Sequence, residues 1–322
     1  MEVHSSDIET ARSRIAGIAR PTPLLSSPRL SEVAGGPVHL KLENLQATGS
    51  FKVRGAANKI LDLSPEERAR GVITWSSGNH GLAVAYVARL EGIPATLCVP
   101  EWIDPVKLSS IRRHGAEIVT CGEVDEAADR SEEIREQRGA TLVHAFDDPA
   151  VIAGQGTVGL EILEDLPRVG TVVVPLSGGG LISGVALAMK EKGVRVVAAY
   201  AEKAAVMVAS LREGKPVSLP EEETLATALA GGIDLDNRHT FRLVRRLVDD
   251  FVPVSEEEIA DAMIFALDEH RLALEGGGVV AVAALLAGRV RAEGPVAAVV
   301  SGGNIDLRRF LRAIEPRERP PC

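Results

Sequence analysis

The sequence predicts an α/β protein of two lobes, each an open, mainly parallel sheet flanked by helices. Short β-rich runs alternate with helical segments from residue 72 onward, which is the pattern of βαβ units in a parallel sheet. Glycine- and serine-rich junctions join strand to helix at residues 76–81, 177–180 and 301–304. The length of 322 residues is more typical of two lobes than of one compact core.

Periodicity and end signals predict the elements of the first half of the chain. Residues 8–18 have the apolar spacing of an amphipathic helix, and residues 38–43 alternate as a strand. A helix is expected to begin with Ser50 as its N-cap, which places Lys52 in the first helical turn. Further strands are predicted at residues 72–75, 95–99, 116–120 and 141–144, and helices after Ser64, after Gly81, and at residues 105–114 and 125–138.

The alternation resumes after Pro149. Residues 212–240 are expected to be rich in loops, whereas the remainder is regular. Helices are predicted at about residues 156–163, 181–192, 240–248, 256–268 and 279–286 and near the C-terminal end to about residue 313, and strands at residues 171–175, 195–200 and 297–300.

Composition excludes several classes of function. A net charge of -9 and a pI of about 5.4 argue against a nucleic-acid partner, which needs a basic face. The most apolar run, residues 276–288, is too short to span a bilayer, and the N-terminus lacks the pattern of a signal peptide. Three scattered cysteines favour neither disulfides nor a thiolate zinc site. We therefore expect a cytoplasmic protein without a membrane partner.

Lys52 is the first candidate catalytic residue. The positive end of the helix macrodipole disfavours an ammonium in the first turn, and apolar neighbours add a desolvation cost. Both effects lower a lysine pKa, and a neutral lysine amine attacks carbonyl groups to form a Schiff base. The alternative is a surface lysine beside a helix end.

The glycine-rich junctions are candidate anion sites, because they direct backbone N–H groups and a helix N-terminus at a ligand. Residues 177–184 are the strongest phosphate candidate. They lack the Lys-Ser/Thr of a P-loop, and their spacing differs from the GxGxxG of dinucleotide-binding proteins, for which Glu202 could be the ribose-binding acid. A glycine turn needed only for packing is the other alternative.

Four motifs at residues 50–55, 77–81, 177–180 and 301–304 occur in this order. Together they resemble the fold-type II pyridoxal-phosphate (PLP) enzymes with a tryptophan synthase β-like fold, in the serine/threonine dehydratase and serine racemase branch. The resemblance covers about residues 5–313. It implies a large cofactor-binding domain of residues 1–55 and 148–322, a small mobile domain of residues 56–147, and a homodimer or homotetramer.

The resemblance also implies roles for individual residues. Lys52 would hold PLP as a Schiff base and later carry a proton, and Phe51 would pack near the cofactor ring. Asn79 would hydrogen-bond the phenolic oxygen of the ring, Ser301 would face the pyridine nitrogen, and Glu275 would lie nearby. The phosphate would be bound at Ser177, Gly178, Gly179, Gly180 and Leu181, and the substrate carboxylate at Ser76, Ser77, Gly78, Asn79 and His80.

The implied reaction is the elimination of water from a β-hydroxy-α-amino acid of the threonine or serine type, which gives a 2-oxo acid and ammonia. A neutral hydroxyl at the pyridine nitrogen makes the cofactor a milder electron sink, which suits β-elimination. Three rivals from the same fold are a racemase, a β-replacement synthase and a catalytically silent regulatory module. An NAD-linked oxidoreductase is the alternative outside the family.

Some positions depart from the family pattern. Ser77 stands where serine racemases have their second acid/base, so racemisation remains an alternative. Glu202 matches a carboxylate that binds a divalent cation in racemase-like members, but its expected partner is Val208 here, which makes that cation doubtful. The polar segment of residues 230–239 resembles dehydratases assigned to hydroxyectoine breakdown, and Asp234 and Asp236 could recognise a hydroxylated diamino acid. A solvated loop is the alternative for this segment.

Overall fold

The computed structural model describes residues 3–315 except residues 77, 102, 104 and 123. Strands and helices alternate through most of this range. The strands are β1 (Leu24–Ser26), β2 (Val38–Leu42), β3 (Val72–Thr74), β4 (Ala95–Pro100), β5 (Glu117–Cys121), β6 (Thr141–Leu142), β7 (Thr171–Pro175), β8 (Arg195–Ala201), β9 (Asp250–Val254) and β10 (Val296–Val300). The helices are α1 (Ser5–Ile15), α2 (Pro28–Ala34), α3 (Lys52–Leu61), α4 (Pro65–Arg70), α5 (Asn79–Glu91), α6 (Pro105–Arg112), α7 (Val124–Arg138), α8 (Pro149–Asp165), α9 (Gly180–Lys190), α10 (Val206–Glu213), α11 (Thr240–Leu247), α12 (Glu256–His270), α13 (Gly276–Leu286) and α14 (Leu307–Ile314).

The larger sheet has six strands in the order β1-β2-β10-β7-β8-β9. Only β1 runs antiparallel to its neighbour, and the other pairings are parallel. Every residue of β7 and β10 is buried, as expected for central parallel strands covered on both faces. Along β10 the side chains alternate between two cores: Ala298 belongs to the cluster formed with α13, and Val299 to the cluster formed with α9.

The smaller sheet has four parallel strands in the order β5-β4-β3-β6. Apolar residues of α5 and α6 cover one face, where Leu97 packs in a cluster with Ala85 and Ile111. Residues of α7 cover the other face, where Cys98 packs with Ile134. The prediction of an α/β protein with two mainly parallel sheets flanked by helices is confirmed. The domain boundaries at residues 55/56 and 147/148 stay a prediction.

Sequence reasoning misses α2, α10 and β9, and it places one cap wrongly. β9 contains Pro253, which argues against a strand, but β9 is an edge strand, where a missing N–H is tolerated. The predicted N-cap at Ser50 is wrong: α3 begins at Lys52 and its N-cap position is Phe51. Ser50 instead forms an antiparallel bridge with Gly302, which ties the start of α3 to the end of β10.

The segments that follow the carboxyl ends of three strands meet in the same region. β7 and β10 are parallel neighbours, so the loops that follow them, at residues 176–179 and 301–306, lie side by side. Asn79, five residues after the end of β3 in the smaller sheet, reaches the same region through its hydrogen bond with Asn304. Ligands of open α/β sheets bind at such carboxyl ends. No helix in the described part of the chain is long and apolar enough to cross a membrane.

Candidate active site

Lys52 occupies the first position of α3, as the sequence predicts for a first-turn residue. Its Nζ donates a hydrogen bond of 2.7 Å to the carbonyl oxygen of Ala145 and lies 5.3 Å from the centroid of the Phe51 ring. Burial of this amine lowers the pKa of Lys52 to about 8. A larger fraction of Lys52 is therefore neutral and nucleophilic near neutral pH than of an exposed lysine.

The loop after β7 is shaped by glycines. Gly179 has a φ of +86°, in the left-handed region that favours glycine, and it is the N-cap of α9. A Cβ placed on Gly178 would lie 2.4 Å from Cδ1 of Phe146. The Ser177 hydroxyl donates to the carbonyl oxygen of Leu229 at 2.8 Å, which anchors the loop.

The first amides of α9 have no acceptor within the helix, so this loop offers backbone N–H groups to an anion. Leu181 lies in this first turn with a buried side chain that packs in the core next to α9. Only its backbone N–H is therefore suited to a ligand. The backbone N–H groups of residues 177–181 are therefore suited to an anion such as a phosphate.

A chain of side-chain hydrogen bonds fixes the amide of Asn79. Its Nδ2 donates to Oε1 of Glu275 at 2.7 Å, and its Oδ1 accepts from Nδ2 of Asn304 at 2.8 Å. Asn304 Nδ2 also donates to the carbonyl oxygen of Thr48 at 2.7 Å. These partners set the orientation of the Asn79 amide and occupy only one of its two side-chain N–H bonds among the described residues. Asn79 is therefore held ready to donate to a ligand oxygen.

The loop after β10 packs closely against this amide chain. The Ser301 hydroxyl is buried, and its Oγ lies 3.4 Å from the carbonyl oxygen of Gly277. A Cβ placed on Gly302 would lie 2.1 Å from Oε1 of Glu275. Residue 302 must therefore be glycine for Glu275 to keep its place beside Asn79.

The loop before α5 and the start of α5 contain the residues expected to bind the substrate carboxylate. The Gly78 N–H donates to the Ser76 hydroxyl at 3.3 Å, and Ser77 lies outside the described residues. The His80 side chain is buried, with its Nε2 2.8 Å from the carbonyl oxygen of Val143. Burial, the Lys52 charge and His144 lower the pKa of His80 to about 3, so its ring is neutral at neutral pH. The N-terminal amides of α5, rather than the His80 ring, are suited to an anion.

A cavity of about 630 Å³ opens beside Asn79. One side comes from the smaller-sheet half of the chain, through α5 and α6, and the other from the loop after β10 and α14. Glu275 and Asn304 line it as well. The amide chain therefore faces a space large enough for a small molecule.

Glu202 lies in a short 3₁₀ turn after β8 and is exposed. Val208, at the position of the expected partner carboxylate, is a buried residue of α10. Within the described residues, no group of three or more His, Cys, Asp or Glu side chains is arranged to hold a metal ion.

The comparison with protein families decides the family. The family described as "Pyridoxal-phosphate dependent enzyme" matches residues 15–302. The chain belongs to this family. Its PLP-enzyme relatives include the L-threonine ammonia-lyase of Thermotoga maritima, which is 47% identical over 312 residues, covering 96% of this chain and 77% of the relative.

Solved structures of PLP enzymes agree with this assignment. Maize serine racemase matches with a TM-score of 0.91 and 36% identity, over 98% of this chain and 97% of that one. The processed form of threonine deaminase isoform 2 from Solanum lycopersicum matches with a TM-score of 0.88 and 33% identity, over 98% of this chain and 94% of that one. The predicted fold-type II architecture and the predicted PLP cofactor are confirmed.

The residues of this PLP enzyme fit the cofactor. Lys52 supplies an amine of lowered pKa, the loop at Gly179 supplies backbone N–H groups for a phosphate, and Asn79 has an N–H bond available for the phenolic oxygen. Ser301 places a neutral hydroxyl, rather than a carboxylate, at the end of β10. The individual roles of these residues stay predictions.

Sequence reasoning misses several residues that build the site. Asn304 lies inside the motif 301–304 but has no role assigned from the sequence, although it orients Asn79. His144 lacks the spacing of a metal ligand, so the sequence predicts only a structural role for it. No sequence pattern distinguishes Phe146. His144 and Phe146 lie two and four residues beyond the carboxyl end of β6, and that position is the signal that could have identified them.

Proposed function

We propose that this PLP enzyme is an ammonia-lyase that eliminates water from a β-hydroxy-α-amino acid, with L-threonine as the first candidate substrate. The product would be a 2-oxo acid and ammonia. The observation that carries the proposal is the desolvated Lys52 amine, which donates to the carbonyl oxygen of Ala145, next to Phe146, whose ring lies against Gly178 of the glycine loop. Relatives that are 40–47% identical over most of this chain are named L-threonine ammonia-lyase or dehydratase, which supports this substrate class.

PLP, when bound, supplies the electron sink that makes the α-proton of an amino acid acidic. In the proposal, Lys52 holds the cofactor and its Nζ moves the α-proton. The N–H groups at residues 178–181 bind the phosphate, and Asn79 donates to the phenolic oxygen. The buried Ser301 hydroxyl faces the pyridine nitrogen without adding a negative charge there. The loop at residues 76–80 binds the substrate carboxylate through its backbone.

Racemisation of serine is the second candidate function. It is supported by Ser77 in the sequence and by serine racemases among the structural neighbours at 34–36% identity. The third candidate, a hydroxylated diamino acid, needs the carboxylates of Asp234 and Asp236. Asp234 accepts a hydrogen bond from His144, and Asp236 is exposed on the surface. Both carboxylates are thus accounted for without a second substrate amino group.

The test is a substrate panel with the purified holoenzyme. L-threonine, L-serine, D-serine, L-threo-3-hydroxyaspartate and 3-hydroxy-2,4-diaminobutyrate are incubated separately, and ammonia, 2-oxo acid and the chirality of remaining substrate are measured. We expect ammonia and a 2-oxo acid in equal amounts from L-threonine. Inversion of serine without ammonia would assign a racemase instead. Lys52→Ala should abolish turnover, and the exposed Lys192→Ala is the matched control.

We also propose that the protein is a cytoplasmic homodimer or homotetramer. The family resemblance supports the oligomer, and the few, scattered cysteines support a reducing compartment. Light scattering of the purified protein, coupled to size exclusion, measures the oligomer directly. A monomer at micromolar concentration would contradict the proposal.

A further inference from the structure

Residues 144–148, here the connector, join β6 of the smaller sheet to α8 of the larger one. The connector contacts two parts of the proposed cofactor site. Its Ala145 carbonyl oxygen accepts the 2.7 Å hydrogen bond from Lys52 Nζ. Its Phe146 ring lies so close to Gly178 that residue 178 has no space for a side chain. The conformation of the connector therefore determines both the partner of the lysine and the packing of the glycine loop.

Hydrogen bonds to the His144 ring stabilise the turn of this connector. The ring Nδ1 accepts from the Asp147 N–H at 2.7 Å and from the Phe146 N–H at 3.2 Å. A ring nitrogen that accepts two N–H groups carries no proton of its own. Nε2 therefore carries the proton and donates it to Oδ2 of Asp234 at 2.9 Å. One tautomer of His144 satisfies all three hydrogen bonds at once.

Aromatic contacts hold the His144 ring in place. Its centroid lies 4.6 Å from that of Phe146 and 5.4 Å from that of Trp75, both in edge-to-face geometry. Trp75 directly follows β3 and precedes the loop at residues 76–78. The ring is thus packed between the connector and the strand end that leads to Asn79.

The segment of residues 234–240 also binds the connector at Asp147. The carboxylate of Asp147 accepts from the backbone N–H groups of Arg238 at 2.7 Å, His239 at 2.9 Å and Thr240 at 2.8 Å. It caps the N-terminus of α11, where the N-cap residue His239 makes no side-chain cap of its own. This segment therefore fixes the connector at two points, through the Asp234 side chain and through the backbone N–H groups of residues 238–240.

We propose that His144, held by Asp234, is a positioning residue for the cofactor lysine. Its unprotonated Nδ1 folds residues 145–147 so that the Ala145 carbonyl receives Lys52 and Phe146 supports the glycine loop. His144 acts through these residues and does not itself touch the substrate or the reacting atoms. The inference rests on the proposed role of Lys52.

Two substitutions at one position test the proposal. His144→Phe keeps an aromatic ring but removes both ring nitrogens, so the turn loses its acceptor and Asp234 its donor. His144→Asn keeps an oxygen close to the place of Nδ1, so the turn retains its acceptor although the bond to Asp234 is lost. His114→Phe is the control, because His114 also packs edge-to-face on an aromatic ring, Tyr86, away from the site.

The measured quantities are the dissociation constant of the apo-protein for PLP, from the absorbance of bound cofactor, and the melting temperature of the apo-protein. We expect His144→Phe to raise the dissociation constant at least tenfold, which corresponds to about 1.4 kcal/mol. His144→Asn should recover most of that loss, and His114→Phe should bind PLP as the wild type does. The apo-protein melting temperatures rank the folded stability of the variants separately.

The possible results distinguish the positioning role of His144 from the proposed role of Lys52. A tenfold loss at an unchanged apo-protein melting temperature, with recovery by His144→Asn, supports the positioning role. Wild-type affinity in His144→Phe, equal losses in both variants, or a loss matched by a fall in melting temperature overturns it. If the wild-type protein itself fails to hold PLP at Lys52, the proposed function fails, and that result is visible without any His144 variant.

Discussion

Arg54 lies two residues beyond Lys52 and is among the most buried charged side chains described. Its guanidinium forms two hydrogen bonds with Glu43, of 2.7 and 2.8 Å, and two with Glu161, of 2.6 and 2.9 Å. Burial alone would lower the pKa of Arg54, but these two carboxylates outweigh it and raise the pKa above its usual value. Arg54 thereby fixes the lysine-bearing helix to the 3₁₀ turn that contains Glu43 and to α8.

Arg54→Met is expected to destabilise the protein strongly, because it removes the cation and leaves both carboxylates in place. Glu43 is fully buried, and Glu161 retains only the buried ammonium of Lys41, at 2.6 Å, as a close cation among the described residues. Removing one partner of a buried ion pair typically costs about 3–5 kcal/mol. For a protein of 322 residues that corresponds to a fall in melting temperature of roughly 4–7 °C.

The loss of folding stability in Arg54→Met should become smaller as the pH falls. In the wild type, burial raises the pKa of Glu161, but the hydrogen bonds and charges of Arg54 and Lys41 outweigh this effect and hold the pKa below its usual value. Without Arg54 the desolvation remains and only Lys41 opposes it, so the pKa of Glu161 should be higher in the folded variant than in the folded wild type. At lower pH the folded variant then binds more protons than the folded wild type, so the difference in stability between the two becomes smaller.

Calorimetry of apo wild type and apo Arg54→Met at pH 7 and pH 5 measures both effects. The control is Arg135→Met, which removes an exposed ion pair with Glu132 on α7. Such surface pairs contribute about 0–1 kcal/mol, so this variant should melt close to the wild type at both pH values. A loss below about 1 kcal/mol for Arg54→Met, or a loss that grows at pH 5, would refute the reasoning about the buried network.

Three further predictions concern the site itself. Gly302→Ala should raise the dissociation constant for PLP more than tenfold, because the added Cβ would displace Glu275. The control is Gly17→Ala, where the added Cβ meets no other atom, and this variant should bind PLP as the wild type does. Equal dissociation constants for the two variants would contradict the prediction. The rate at which the apo-protein binds PLP should rise with pH and level off above about pH 8, because the pKa of Lys52 is about 8. Stopped-flow absorbance measures this rate. A rate that does not change between pH 6 and 9 would contradict the prediction. His80 stays neutral in the folded state, with a pKa of about 3, whereas in the unfolded chain its pKa is near the ordinary 6.5. Folding stability should therefore fall by on the order of 1–2 kcal/mol more in the wild type than in His80→Gln between pH 6.5 and pH 5, as measured by urea unfolding, and identical pH slopes would disprove the assignment.

The sheet architecture can be predicted from the sequence because its signals are local. The buried run of β7 and the glycines after it show a central parallel strand and a ligand loop without any knowledge of the partner strands. The position of Lys52 in the first turn of α3 is also predictable from periodicity. The cofactor follows only from the family resemblance, since no single glycine loop distinguishes a phosphate of PLP from another anion.

The remaining features depend on contacts between distant segments. Ser50 has the local pattern of a helix cap, but the tertiary bridge to Gly302 determines its place. Asp147 caps a helix that begins 93 positions later in the chain, and no local pattern reveals such a cap. The amide of Asn79 is likewise oriented by Asn304 from the other end of the chain. Pairings of this kind become visible only in the folded structure.

The central claim is that Lys52 holds PLP in an ammonia-lyase. The most direct measurement is borohydride reduction of the holoenzyme, followed by proteolysis and mass spectrometry of the peptides. The account predicts that the added mass of the reduced cofactor lies on the peptide containing Lys52 and is absent from Lys52→Ala. Modification of a different lysine, or no stable modification in a protein that has bound PLP, would contradict it.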